Sequence, residues 1–235
     1  MTLDEAVATL RPLPAELTIP DLLDAAAWAY GSAPALRTMA GTVLTHRELA
    51  DRTRVLAAQL ASTGVGPGVP VAVLVDHEPA AIQAIIAIVR AGGCCVRLDP
   101  RRTVSQNADL VAASRVTRLV VGPGFRRAGS EIAASVPTVR LLLATPGLPS
   151  PTNSDSPQAW DTLPRSPVIA PSPSDLAYVG TAGNVRHQNL VDLLSWLNRS
   201  KQTTHKDLVL QAAPLALDVA LHDIFGTLAA GGSVL

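Results

Sequence analysis

Leu176-Ala177-Tyr178-Val179-Gly180-Thr181-Ala182-Gly183-Asn184-Val185-Arg186-His187 reads as a buried strand, a short glycine-bearing loop and the start of a helix. Nucleotide-using α/β enzymes place a phosphate loop at such a junction, because the first turn of a helix offers unpaired N–H groups and the positive end of its dipole. The loop here, Gly180–Asn184, holds one hydroxyl, Thr181, and no lysine. A triphosphate calls for several amides, hydroxyls and a cation. The stretch is therefore expected to be a nucleotide-binding junction whose loop has been cut back.

Strands and helices alternate on both sides of this junction. Upstream, Val69–Val75 is apolar throughout, which predicts a strand covered on both faces. Cys94–Leu98, Val116–Val121 and Val139–Leu143 read as further strands, and Ala35–Met39 with Thr42–Leu44 as a short hairpin. Helices are predicted over Ile19–Tyr30, from Thr45 to Gly64, over Pro79–Arg90 and over 104–114. Thr45 and Glu48 form a capping box, with Leu49, Leu56 and Leu60 on one face of the helix behind it. Downstream come a helix over 188–199, a strand over 207–212, a helix over 219–229 and the start of a strand at Ser233–Leu235. That last strand is expected to leave an unfinished, apolar sheet edge.

The alternation predicts an α/β protein of layered, mostly parallel sheets with helices on both faces. Residues 145–174 interrupt it with eight prolines among Ser, Thr and Asp, as an exposed linker or loop would. The expected organisation is a first α/β subdomain over 1–144, the proline-rich stretch, and the start of a second subdomain over 175–235.

The chain has 235 residues, 48% of them hydrophobic and 3% aromatic, so its core is built from Ala, Val, Leu and Ile. Lys+Arg and Asp+Glu balance at 19 each, which removes the field that would draw nucleic acid or an anionic membrane. No apolar run reaches the length of a membrane span, and the acidic start Met1-Thr2-Leu3-Asp4-Glu5 lacks the basic region of a secretory signal; a cytoplasmic protein is expected. Adjacent Cys94 and Cys95 point to opposite faces of a strand, which argues against both a disulfide and a metal pair. His46, His77 and His205 have no metal-ligand spacing and read as surface or capping residues. Asp76-His77-Glu78 sits at a strand-to-helix junction, where capping carboxylates are ordinary. No metal site is expected.

Four segments together resemble the N-terminal half of the adenylation domains of nonribosomal peptide synthetases, within the acyl-adenylate-forming (AMP-binding) enzymes. Leu44-Thr45-His46-Arg47-Glu48-Leu49 is similar to the family's Leu-Thr-Tyr-x-Glu-Leu motif. Arg90-Ala91-Gly92-Gly93-Cys94-Cys95-Val96-Arg97-Leu98-Asp99-Pro100 is similar to Lys-Ala-Gly-x-Ala-Tyr-Val-Pro-Leu-Asp-Pro. Asp175–Val179 and Val185-Arg186-His187 resemble the strand entering and the helix leaving the phosphate loop. Leu217-Asp218-Val219-Ala220, followed by Asp223-Ile224-Phe225-Gly226, resembles Phe-Asp-x-Ser ahead of Glu-Ile-Phe-Gly.

The resemblance implies roles for a few residues. Thr181 and Gly183 stand where remnants of the phosphate loop would be, while its Ser/Thr run, Pro and Lys have no counterpart. Asp218 matches the carboxylate that receives the substrate's α-ammonium, and His222 falls at a pocket-lining position. Against these readings, Gly180–Asn184 is better taken as a plain turn than as an anion nest. Asp218 is likewise better taken as a capping or solvent-facing carboxylate. Arg97 replaces the family's usual Pro inside a strand; pointing outward or toward a partner both stay open. No catalytic residue is assigned and no cofactor is expected.

The expected function is that of a truncated, catalytically inactive homologue. It would serve a structural or protein-interaction role beside carrier, condensation or complementary adenylation domains. The rival is half of a split amino-acid-adenylating ligase completed by another polypeptide, which alone would need ATP and magnesium.

Overall fold

The computed structural model describes residues 16–75, 79–139, 141–144, 164–180 and 183–235; Asp76-His77-Glu78, Thr181 and Ala182 lie outside them. The described residues begin with α1 (Ile19–Ala29), β1 (Pro34–Arg37), β2 (Val43–Thr45) and α2 (His46–Ser62). It continues through β3 (Pro70–Leu74), α3 (Pro79–Arg90), β4 (Cys94–Arg97), α4 (Val104–Ala113) and β5 (Arg118–Val121). A 3-10 turn at Pro123–Phe125 leads into α5 (Arg126–Ser135) and β6 (Leu141–Ala144). After 164–175 come β7 (Leu176–Gly180), β8 (Gly183–Arg186), α6 (His187–Lys201), β9 (Leu208–Val209), α7 (Asp218–Ala229) and β10 (Ser233–Val234).

The predicted capping box forms at α2. The Thr45 N–H donates to the Glu48 carboxylate at 2.8 Å, and the Thr45 hydroxyl oxygen accepts the Glu48 N–H at 3.3 Å. Leu49, Leu56 and Leu60 are buried on the inner face, and Gly64, at φ +89°, turns the chain out of the helix. Every residue of α3 from Ala80 to Arg90 is buried. Arg90 is tolerated there because its guanidinium meets Asp24 at 2.7 Å and the Thr53 hydroxyl at 3.0 Å.

Two sheets result, one of six strands in the order β6-β5-β3-β4-β7-β8 and one of four in the order β2-β1-β10-β9. All pairings are parallel except β1 with β2 and β7 with β8. The apolar run of β3 explains itself by its two faces. Val71 and Val73 enter one core with α1, α2, α3, α6 and α7. Ala72 and Leu74 enter a second core, where Ala108 and Val111 of α4 and Ile132 of α5 cover the other side. Cys95 belongs to the first core and Val96 to the second, as the strand period requires. Each sheet takes strands from both 1–144 and 175–235.

Gly180–Asn184 is not a loop running into a helix. Gly183 and Asn184 begin β8, which pairs antiparallel with β7 in the register Gly180↔Gly183 and Val179↔Asn184. The hairpin satisfies backbone groups that a free loop would leave to solvent. β10 is not an edge strand, for it lies between β1 and β9 and pairs parallel with each. Helix α5 was not anticipated, because Gly122, Pro123, Gly124, Gly129 and Ser130 all read as breakers. It is held by Ile132, fully buried in the second core.

Candidate functional site

β4 and β7 run parallel and adjacent, with Cys95 opposite Tyr178 and Val96 opposite Val179. Their C-terminal ends are where an open α/β sheet presents a ligand site. Arg97 closes β4 at this end, with only 3% of its side chain exposed. A guanidinium so buried must find partners, and it finds them on the segment leading into α7. Nη1 donates to the carbonyls of Leu215 at 2.9 Å and Leu217 at 2.7 Å, and Nη2 donates to Asp218 Oδ1 at 2.5 Å. The Tyr178 ring lies beneath, 4.9 Å from the guanidinium carbon. Arg97 Nε has no partner among the described residues.

Asp218 is the first residue of α7, where the helix dipole favours a carboxylate. It is not the solvent-facing or merely capping group expected from sequence: it is the counterion of Arg97, with 29% of its side chain exposed. His222 follows one turn later, and its buried Nε2 lacks a partner among the described residues. Burial lowers the His222 pKa, though the carboxylates of Asp218 and Asp223 oppose the shift. Burial raises the Tyr178 pKa, and Asp218 adds to it. Of the residues singled out from sequence, Asp218 and His222 thus converge, and Arg97 and Tyr178 join them. The signal for Arg97 was a charged residue inside an otherwise apolar strand.

Gly183 is not part of this convergence by any contact. It is exposed in β8 at φ +137°, and a Cβ built on it would meet no atom within 4 Å. Thr181 lies outside the described residues. The first turn of α6 is separated from Gly183 by the rest of β8 and is occupied by its own chain. Its Gln188 and His187 N–H groups donate to the carbonyls of Pro173 and Asp175, and Arg186 Nη1 donates to the Ser174 carbonyl at 2.6 Å. His187 is fully buried, and its Nδ1 accepts the Ile19 N–H at 3.2 Å. Burial pushes its pKa down to about 4, although Asp175 and Asp21 pull the other way.

His46, read from sequence as a surface or capping residue, is buried, and its Nε2 lies 3.1 Å from the carbonyls of both Gly231 and Gly232. His205 stacks on Tyr30 with ring centroids 5.1 Å apart. His77 lies outside the described residues. Among those described, no group of three or more His, Cys, Asp or Glu could hold a metal, and no helix is long and apolar enough to cross a membrane.

Parallel strands covered by helices on both faces, meeting a carboxylate-bearing helix at their C-terminal ends, have the layout of the N-terminal subdomains of adenylate-forming enzymes. The family model for AMP-binding enzymes matches residues 23–235, and the chain belongs to that family. Its similarities run to peptide synthetases. It is 31% identical over 206 residues to nonribosomal peptide synthetase ftmPS of Neosartorya fischeri, covering 81% of this chain and 9% of that one. It is 29% identical over 227 residues to phosphinothricin tripeptide synthetase PhsB of Streptomyces viridochromogenes, covering 93% of this chain and 18% of that one. The chain therefore spans a small part of these multidomain relatives.

Solved structures agree in fold. The nonribosomal peptide synthetase FmoA3 in its AMPPNP-bound form superposes with a TM-score of 0.79 at 24% identity, covering all of this chain and 24% of that one. The N-terminal subdomain of Klebsiella oxytoca NpsA, in complex with anthranilyl-AMSN, gives 0.76 at 17% identity, covering 95% and 54%. The correspondence with the N-terminal part of an adenylation domain, drawn above from four motifs, is the one these comparisons support.

Proposed function

We propose that this chain is a catalytically inactive adenylation-domain homologue with a structural or protein-interaction role in nonribosomal peptide biosynthesis. The observation that carries the proposal is the β7–β8 hairpin. With Gly180 paired to Gly183, only Thr181 and Ala182 lie between the strands. Two residues cannot wrap a triphosphate, and this stretch brings no lysine to neutralise one. The residues present do not fit ATP with magnesium at that place. Adenylation depends on cations and amides aimed at the departing pyrophosphate, and loss of even one such donor costs about 3–4 kcal/mol of transition-state stabilisation.

The split-ligase reading is weakened by the same hairpin, since the shortened segment lies within this half. For the interaction role, the small sheet offers β9 as an edge, with Leu208 and the following Leu210 each more than half exposed. Carrier, condensation or complementary adenylation domains are the proposed partners.

The test is ATP–pyrophosphate exchange with the purified chain across the proteinogenic amino acids, alone and mixed with a candidate C-terminal half. No exchange above background is expected in either case. Exchange by the chain alone would overturn the proposal, and exchange only in the mixture would establish the split ligase instead.

A further inference from the structure

The surroundings of the Arg97 guanidinium form a cage for an organic cation. One carboxylate, two carbonyls and an aromatic face are the groups that recognise an ammonium or guanidinium. Here the cation comes from β4 itself, through three hydrogen bonds of 2.5–2.9 Å. We propose that Arg97 is a tethered cation filling the place from which Asp218 would take the ammonium of a free amino acid, so that the chain closes its own site to that ligand class. The proposal rests on the reading of Asp218 as the counterpart of an ammonium-binding carboxylate.

The physics favours the tethered group. A cation held on the same fold competes at an effective concentration on the order of millimolar or higher, without the entropy loss of a free ligand. A second cation could not share the carboxylate, because it would meet the Arg97 charge at short range in a poorly solvated place. The cage reaches solvent through Asp218, whose side chain stays 29% exposed, so a small cation can enter once the guanidinium is gone.

The experiment is thermal unfolding of the full chain, as wild type, R97A and R97A/D218N. Each is titrated with millimolar guanidinium chloride against sodium chloride at equal ionic strength, and then with single free amino acids. For R97A, guanidinium is expected to raise the unfolding midpoint by about 3–5 °C at roughly ten times its Kd. Wild type and R97A/D218N are expected to show no such rise. Should R97A be unfolded in plain buffer, the same titration is expected to restore a cooperative transition. A folded R97A that guanidinium does not stabilise, or an unfolded one it does not rescue, overturns the proposal. So does a wild type stabilised by free amino acids through Asp218. ATP–pyrophosphate exchange remains a separate readout: its appearance in wild type would sink the inactive reading, while these titrations judge the cage.

Discussion

Arg97 and Asp218 stand 121 positions apart in the sequence and meet at 2.5 Å, with the guanidinium buried and the carboxylate at the mouth of the site. Removing the carboxylate charge would leave a buried cation facing two carbonyls and a ring. Breaking a buried pair in this way costs about 3–5 kcal/mol, and the partial exposure of Asp218 brings the expectation for D218N to about 2–4 kcal/mol. Urea unfolding measures it; a loss below about 0.5 kcal/mol would mean the pair is screened like a surface salt bridge.

The second prediction concerns pH. The His187 imidazole is buried and neutral, with a pKa near 4 against 6.5 in the unfolded chain. Between these values the unfolded state binds the proton and the folded state does not, so stability is full above pH 6.5 and falls as pH drops toward 4. The shift corresponds to about 3 kcal/mol. H187N keeps an acceptor for the Ile19 N–H and is expected to lose most of that dependence. His46, also lowered by burial, leaves a residual slope of the same sign. Denaturant midpoints at pH 4.5 and 7 compare the two proteins; equal slopes would refute the assignment.

Thiol chemistry gives a third. Burial pushes Cys94 up to about 11 and Cys95 up to about 12, so neither offers thiolate at neutral pH. Iodoacetamide is expected to modify neither cysteine in the native protein and both in urea. Rapid native alkylation, read by mass spectrometry, would contradict this.

A fourth prediction falls on Gly231. Its φ is +79°, and a Cβ there would run into the Tyr30 ring, which stacks on His205. The left-handed backbone alone costs an L-residue about 1–2 kcal/mol, and displacing Tyr30 adds to it. G231A is expected to lose at least about 2 kcal/mol of unfolding free energy, and no measurable loss would show that the turn adapts freely.

Much of the fold was legible because its signals are local. Thr45 and Glu48 are three residues apart, the apolar run of β3 is contiguous, and α3 is bounded by Pro79 and Gly92. The hairpin at Gly180–Gly183 was not legible, since glycine serves a loop and a strand end equally well, and only pairing decides. The site was legible in part. Asp218 and His222 are one helical turn apart and share motif positions, but the partner of Asp218 comes from a strand 121 positions away, and nothing local to Arg97 tells where its charge will be met.

β10 has two residues, yet among the described residues it alone bridges β1 and β9. Val234 pairs with Leu36, 198 positions earlier, so the small sheet closes over a long loop. Neighbours such as β3 and β4 need only a local crossover, whereas the β1–β2 hairpin takes its parallel partner from Ser233-Val234, far along the chain. The small sheet is therefore a clasp whose closure carries more loop entropy than the strand pairings of the large one.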